Sequence, residues 1–132
     1  MLPKSKKQKG KQLENFVADE LRKIDKYAYR RADSGSGLHR KEDVFTTLPL
    51  FIECKNQKEL HINDWWKKTI DNCPGDRYPI LVFKQNYQRE PTVCLWLGDL
   101  LSLLSKQKVV LMYKIYLAWG DFFKILNELN FK

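Results

Sequence analysis

The sequence predicts an α/β fold in which a mixed central β-sheet is flanked by helices. Segments of helical apolar period alternate with β-branched or alternating runs, and their order (helix, three strands, helix, strands, helices) places helices over the faces of a sheet. With 132 residues, 43% of them hydrophobic and 30% charged, the chain has the size and composition for one hydrophobic core.

Taken in order, Lys4, Lys6, Lys7, Lys9 and Lys11 stand in a stretch without an acid, so residues 1–11 are expected to form a flexible basic arm ahead of one domain over residues 12–132. From Gln12 the residues Leu13, Phe16, Val17, Leu21 and Ile24 keep helical spacing and present one apolar stripe. Tyr27 to Arg31 reads as a short strand, and Asp33 to Gly37 as a flexible Gly-containing loop. Asp43 to Thr46 and Leu50 to Lys55 read as a hairpin turning near Thr47-Leu48-Pro49. Ile62 to Asn72 is expected to be helical, capped by Asn63. Tyr78 to Lys84, Thr92 to Trp96 and the β-branched Val109 to Tyr116 are expected strands, while Gly98 to Ser105 and Trp119 to Leu129 are expected helices. The apolar last third either completes the core or forms a dimer interface, with core packing expected for most of it.

A net charge of +8 favours a polyanionic partner, of which nucleic acid is the commonest, although solubility alone also explains a basic chain. The apolar runs are far shorter than the roughly 20 residues of a membrane span, and no secretory signal is visible, so a cytoplasmic protein without membrane contact is expected. Cys54, Cys73 and Cys94 are too widely and irregularly spaced for a disulfide framework or a zinc site. His39 and His61 lack metal-ligand partners at diagnostic spacing and read as surface residues.

The chemistry-bearing segment is Asp43 followed ten residues later by Glu53-Cys54-Lys55. Strand alternation turns Leu50, Ile52 and Cys54 to the core and projects Glu53 and Lys55 together from the other face. An acid and a base on an otherwise apolar strand cost desolvation energy unless they are paired or bind an ion. If the hairpin brings Asp43 beside Glu53, the two carboxylates repel unless a cation or a proton lies between them. Mg2+ suits such a site, being a hard ion held by one or two carboxylates plus water and substrate phosphate. Lys55 is then placed to contact an attacking water or a phosphate, as proton acceptor or as an electrostatic contact. The plain alternative is a surface salt bridge between Lys55 and a neighbouring acid.

These residues resemble the PD-(D/E)XK nuclease superfamily, and more closely its small Holliday junction resolvases of archaeal and phage type. Four segments carry the resemblance: Gly10-Lys11-Gln12-Leu13-Glu14, Arg30 to Gly37, Lys41-Glu42-Asp43-Val44, and Phe51 to Asn56. The proline that names the superfamily is replaced by Glu42. The resemblance implies a restriction-endonuclease-like core and a homodimer that nicks four-way DNA junctions symmetrically with Mg2+, for which Mn2+ substitutes, and with no small-molecule cofactor. It implies that Asp43, Glu53 and the Cys54 backbone carbonyl ligate metal, that Lys55 is the catalytic lysine, and that Glu14 completes the acidic cluster. A phage source would suit so small and basic a resolvase.

Around this centre, Arg30, Arg31, Ser34, Ser36, Arg40 and Lys41 flank the Gly-containing loop and are expected to contact DNA phosphates, as are the arm lysines. Trp65 and Trp66 precede Lys67 and Lys68. One tryptophan is expected in the core, since adjacent helix positions diverge by about 100°, and the two lysines are candidates for DNA contact. Lys84 adds charge at the end of its strand. The rival readings are another PD-(D/E)XK repair, replication or restriction-like nuclease acting on duplex, flap or end substrates, a non-catalytic DNA-binding module, and an RNA-binding protein.

Overall fold

Apolar strands alternating with amphipathic helices build a mixed sheet with helices on both faces in the computed structural model, which describes residues 6–31 and 42–129. Its strands are β1 (Tyr29–Arg30), β2 (Val44–Phe45), β3 (Leu50–Asn56), β4 (Tyr78–Lys84), β5 (Thr92–Trp96) and β6 (Lys114–Ala118), and they lie side by side in chain order. Helices are α1 (Lys6–Leu21), α2 (Ile62–Asn72), α3 (Leu97–Ser105) and α4 (Trp119–Leu129). All neighbouring strands are antiparallel except β3 and β4, which run parallel with Glu53 opposite Leu81 and Lys55 opposite Phe83. A parallel pair needs a crossover, and α2 provides it.

One core lies between the sheet and α1, α3 and α4, where Leu13, Val17 and Leu21 of α1 meet Leu50, Ile52 and Cys54 of β3, and Trp119, Phe122 and Leu126 of α4 join them. A smaller cluster on the opposite face joins Trp65 and Trp66 of α2 to Leu81, Phe83 and Cys94. The apolar last third is therefore largely core, as expected, while Leu104 and the segment from Val110 to Tyr113 are exposed. Among the described residues no helix is long and apolar enough to cross a membrane, and the three cysteines are free.

Several expectations are corrected. Helix α1 starts at Lys6, not Gln12, so most of the expected arm is helical. Lysine and glutamine are good helix formers, and two contacts anchor the added turns: Lys9 Nζ donates to Asn86 Oδ1 at 2.8 Å, and the Lys9 carbonyl accepts from Asn56 Nδ2 at 3.2 Å. Asn63 does not cap α2. His61 holds the cap position without a side-chain bond, and Asn63 Oδ1 instead accepts from Lys114 Nζ at 2.7 Å. Both Trp65 and Trp66 are buried, because their divergent rings reach different neighbours, Phe83 and Trp96 respectively.

The last strand begins at Lys114, not Val109. The β-branched run ahead of it is diverted to the start of α3, where the Tyr113 carbonyl accepts from Leu97 N at 2.8 Å and the Leu111 carbonyl from Gly98 N at 2.9 Å. Those amides have no partner within their own helix, so the segment serves as its cap.

Candidate active site

The hairpin of β2 and β3 is fixed at its turn, away from the acidic residues at its open end. Asp25 is buried and accepts from Thr46 Oγ1 at 2.6 Å, Thr47 N at 2.8 Å and Tyr27 N at 3.1 Å. Burial works against ionisation of Asp25, but these hydrogen bonds outweigh it and hold the carboxyl below its ordinary range. Arg77 Nη1 donates to the carbonyls of Thr46, Leu48 and Leu50. The turn is thus held by an anion on one side and a cation on the other.

At the open end, Asp43 lies one residue before β2. Its amide donates to the Ile52 carbonyl at 2.9 Å, its carbonyl accepts from Arg31 N at 2.9 Å, and its Oδ2 accepts from Cys54 N at 2.8 Å. The side chain therefore turns across β3 toward Glu53, to which it is hydrogen-bonded. Burial, the negative charge of Asp43 and the hydrogen bond between them push the Glu53 carboxyl up to about 9, against the lowering pull of Lys55. Glu53 is thus held in its protonated form at neutral pH when no cation is bound, which is one of the two resolutions open to converging carboxylates.

Glu14 approaches from α1. Its side chain is only 15% exposed and faces Arg30, with Oε2 3.4 Å from the Arg30 Nε. Burial and then Asp43 raise its carboxyl to about 7, while Arg30 and Lys55 oppose the shift. Among the described residues, Glu14 Oε2 and Arg30 Nε are buried without a hydrogen-bond partner. The contact is thus an ion pair whose geometry is poor for a hydrogen bond between these two atoms.

The structure brings together Glu14, Asp43, Glu53 and Lys55, and adds Arg30, whose charge faces Glu14 rather than open solvent. Arg31 is also turned inward, with Nη1 3.6 Å from Glu42 Oε1 and only 11% of its side chain exposed, which leaves little of it for DNA. Lys11, Lys67 and Lys68 are exposed, and Lys9 and Lys84 are half-buried. Lys4, Ser34, Ser36, His39, Arg40 and Lys41 lie outside the described residues. His61 is exposed beside Glu59, 3.6 Å away. Asn56, for which no role was expected, follows Lys55 and ties β3 to α1 through the Lys9 carbonyl. Its place directly after the Glu-X-Lys segment was the available signal.

Among the described residues no group of three or more His, Cys, Asp or Glu stands arranged to hold a metal ion. The donor set nevertheless fits a hard divalent cation, which needs only one or two protein carboxylates when water and phosphate complete its shell. Asp43 and Glu53 supply that pair, while Glu14 faces Arg30 and does not complete a three-carboxylate set with them.

A family model described as "Phage putative PDDEXK endonuclease" matches residues 5–123. No curated protein and no solved structure matches the chain. The chain belongs to this phage PDDEXK endonuclease family. It is a nuclease of α/β fold, in a superfamily that generally uses divalent metals.

Proposed function

We propose that this phage-family nuclease is a Mg2+-dependent, structure-selective DNA endonuclease that resolves four-way junctions as a homodimer. The observation that carries the chemistry is the hydrogen-bonded Asp43–Glu53 pair with Lys55 on the same strand and Glu14 adjoining it. The junction substrate and the dimer are supported by the resemblance of the four sequence segments and by the need to cut two symmetry-related strands.

In this reading Asp43 and Glu53 would hold the cation, and the Cys54 carbonyl and Glu14 would be the further donors that the resemblance implies. When bound, such an ion polarises water and neutralises charge developing on the phosphodiester. Glu53 must release its proton to become a full ligand. Lys55 places a positive charge where the attacking water or a non-bridging phosphate oxygen would lie, next to the carboxyl pair. Arg30 faces Glu14 and offsets its charge. Exposed lysines on α1 and α2 supply phosphate contacts that fix position without reading sequence.

The test is cleavage of a four-way junction, a flap, a linear duplex and single-stranded DNA, with Mg2+ or with EDTA, by the wild type and Glu53→Gln. Selective cutting of the junction in Mg2+, lost in EDTA and in the variant, is expected. Equal cutting of all four substrates would refute junction selectivity, and wild-type activity of Glu53→Gln would refute the site.

A further inference from the structure

Among the described residues Tyr87 is the most exposed of the large hydrophobics, at 95%, yet the loop that carries it is held by several hydrogen bonds. Residues 85–91 join β4 to β5. Gln85 N donates to Gln88 Oε1 at 2.7 Å, Gln88 N donates to the Gln85 carbonyl at 3.1 Å, and Gln88 Nε2 donates to Thr92 Oγ1 at 3.2 Å. Outside the loop, Asn86 is held by Lys9, Glu90 Oε2 accepts from Gly120 N at 3.0 Å, and the Pro91 carbonyl accepts from Trp119 N at 2.9 Å. An aromatic ring is therefore displayed to water on a loop whose ordering entropy is already offset by its own bonds.

The place of this loop connects it to the active site. Strands β3 and β4 are parallel, with Asn56 opposite Lys84, so the chain leaves the sheet for Tyr87 at the end where Lys55 stands. Backbone spacing puts the Tyr87 Cα within about 20 Å of that of Lys55, a span of a few nucleotides. A small groove lined by Gln12, Asn56, Lys84, Arg89 and apolar neighbours opens at this end of the sheet, on the α1 face. Lys84 and Arg89 flank the aromatic with positive charge, and Lys9 is tied to the same loop.

Cations that follow a phosphate backbone beside an exposed aromatic face are what a protein uses to hold an unstacked base. We propose that Tyr87 stacks on an unpaired or unstacked DNA base next to the cleavage site and thereby favours DNA with a branch or interruption over continuous duplex. In continuous duplex both faces of each internal base are covered by its neighbours, so the ring has nothing to stack on. The inference deepens the nuclease reading, on which it rests, by naming a residue that selects the substrate.

The experiment measures binding of the full chain in EDTA, without cleavage, by fluorescence anisotropy. The probes are a labelled four-way junction, a duplex with one bulged adenine, and a continuous duplex of equal length. Tyr87→Ala is expected to weaken binding of the junction and the bulged duplex about tenfold, within the range for loss of one base–aromatic stack, and to leave the continuous duplex unchanged. Tyr87→Phe and Tyr87→Trp are expected to retain wild-type discrimination. Equal effects of Tyr87→Ala on all probes, no effect on any, or a loss in Tyr87→Phe matching that in Tyr87→Ala would overturn the proposal while leaving the nuclease reading standing. Failure of the wild type to bind any of these DNAs would overturn both.

Discussion

Glu53→Gln is expected to make the metal-free protein more stable while abolishing cleavage, and the gain should grow with pH. The folded Glu53 keeps its proton up to about 9, whereas in the unfolded chain it is released near the ordinary 4.5. Between those values the unfolded state binds fewer protons, so stability falls as pH rises, by about 1.4 kcal/mol per pH unit. The penalty is absent below 4.5, reaches about 3 kcal/mol at pH 7 and about 5 kcal/mol at pH 8. Glutamine has nearly the same shape, carries an N–H donor toward Asp43 in place of the carboxyl proton, and never ionises, so it removes this penalty.

Urea unfolding in EDTA measures the effect. At pH 5 the two proteins should differ by less than about 1 kcal/mol, and at pH 8 the variant should be several kcal/mol more stable. Mg2+ should then stabilise the wild type much more than the variant, because the cation binds the folded carboxylate pair and not the unfolded chain. A variant less stable than wild type at pH 8, or a stability difference that does not change with pH, would refute the account of Glu53.

Asp25→Ala leaves the Thr46 hydroxyl and the Thr47 and Tyr27 amides without their acceptor, and should lower stability by about 3 kcal/mol in urea melts at pH 7. Because the folded Asp25 carboxyl is held below its ordinary 3.8, its contribution is present in full above that pH and is lost on acidification through the folded value, so the difference between variant and wild type should shrink in acid. Gly98→Ala places a Cβ 2.4 Å from Leu111 N and 2.8 Å from the Val109 carbonyl, which should displace the segment ahead of β6 and lower stability by about 1 to 3 kcal/mol in the same assay. Replacing Lys4, Lys6, Lys7 and Lys11 together with alanine should reduce the slope of log affinity against log salt by roughly 3 to 4 in DNA-binding titrations, if each neutralises one phosphate, with little change in the single-turnover rate once DNA is saturating.

Local pattern specified some elements closely and long-range contacts decided the others. Tyr78–Lys84, Thr92–Trp96, Ile62–Asn72 and Trp119–Leu129 have the expected bounds, since each carries an uninterrupted apolar pattern of one period. Val109 to Met112 has equal β-propensity but lies outside β6, because its carbonyls meet the free amides of α3. That competition belongs to the packed chain and leaves no mark on the segment itself. In the candidate site, the shared face of Glu53 and Lys55 was legible from strand alternation, the approach of Asp43 to Glu53 from the expected hairpin, and Glu14 from the resemblance to the family's helix-one acid. Arg30 was read as a phosphate contact, and its position opposite Glu14 follows only from how α1 packs on β1. Trp65 and Trp66 were underestimated because angular divergence of neighbouring helix positions does not measure how far an indole reaches.

The β2–β3 hairpin is anchored at its turn and carries converging acids at its open end. At the turn, Asp25 and Arg77 saturate backbone groups with charge-assisted hydrogen bonds. At the open end, Glu53 and Glu14 are acids raised far above their ordinary range, and Glu14 Oε2 has no hydrogen-bond partner among the described residues. A sequence selected for stability alone would remove that conflict with one amide substitution, since buried like charges resist folding and isosteric neutral groups do not. Retaining it is expected where the carboxylates meet a cation in the working state. The clamped turn holds β2 against β3 from the other end of the hairpin, so Asp43 and Glu53 are expected to stay side by side when the proton of Glu53 leaves.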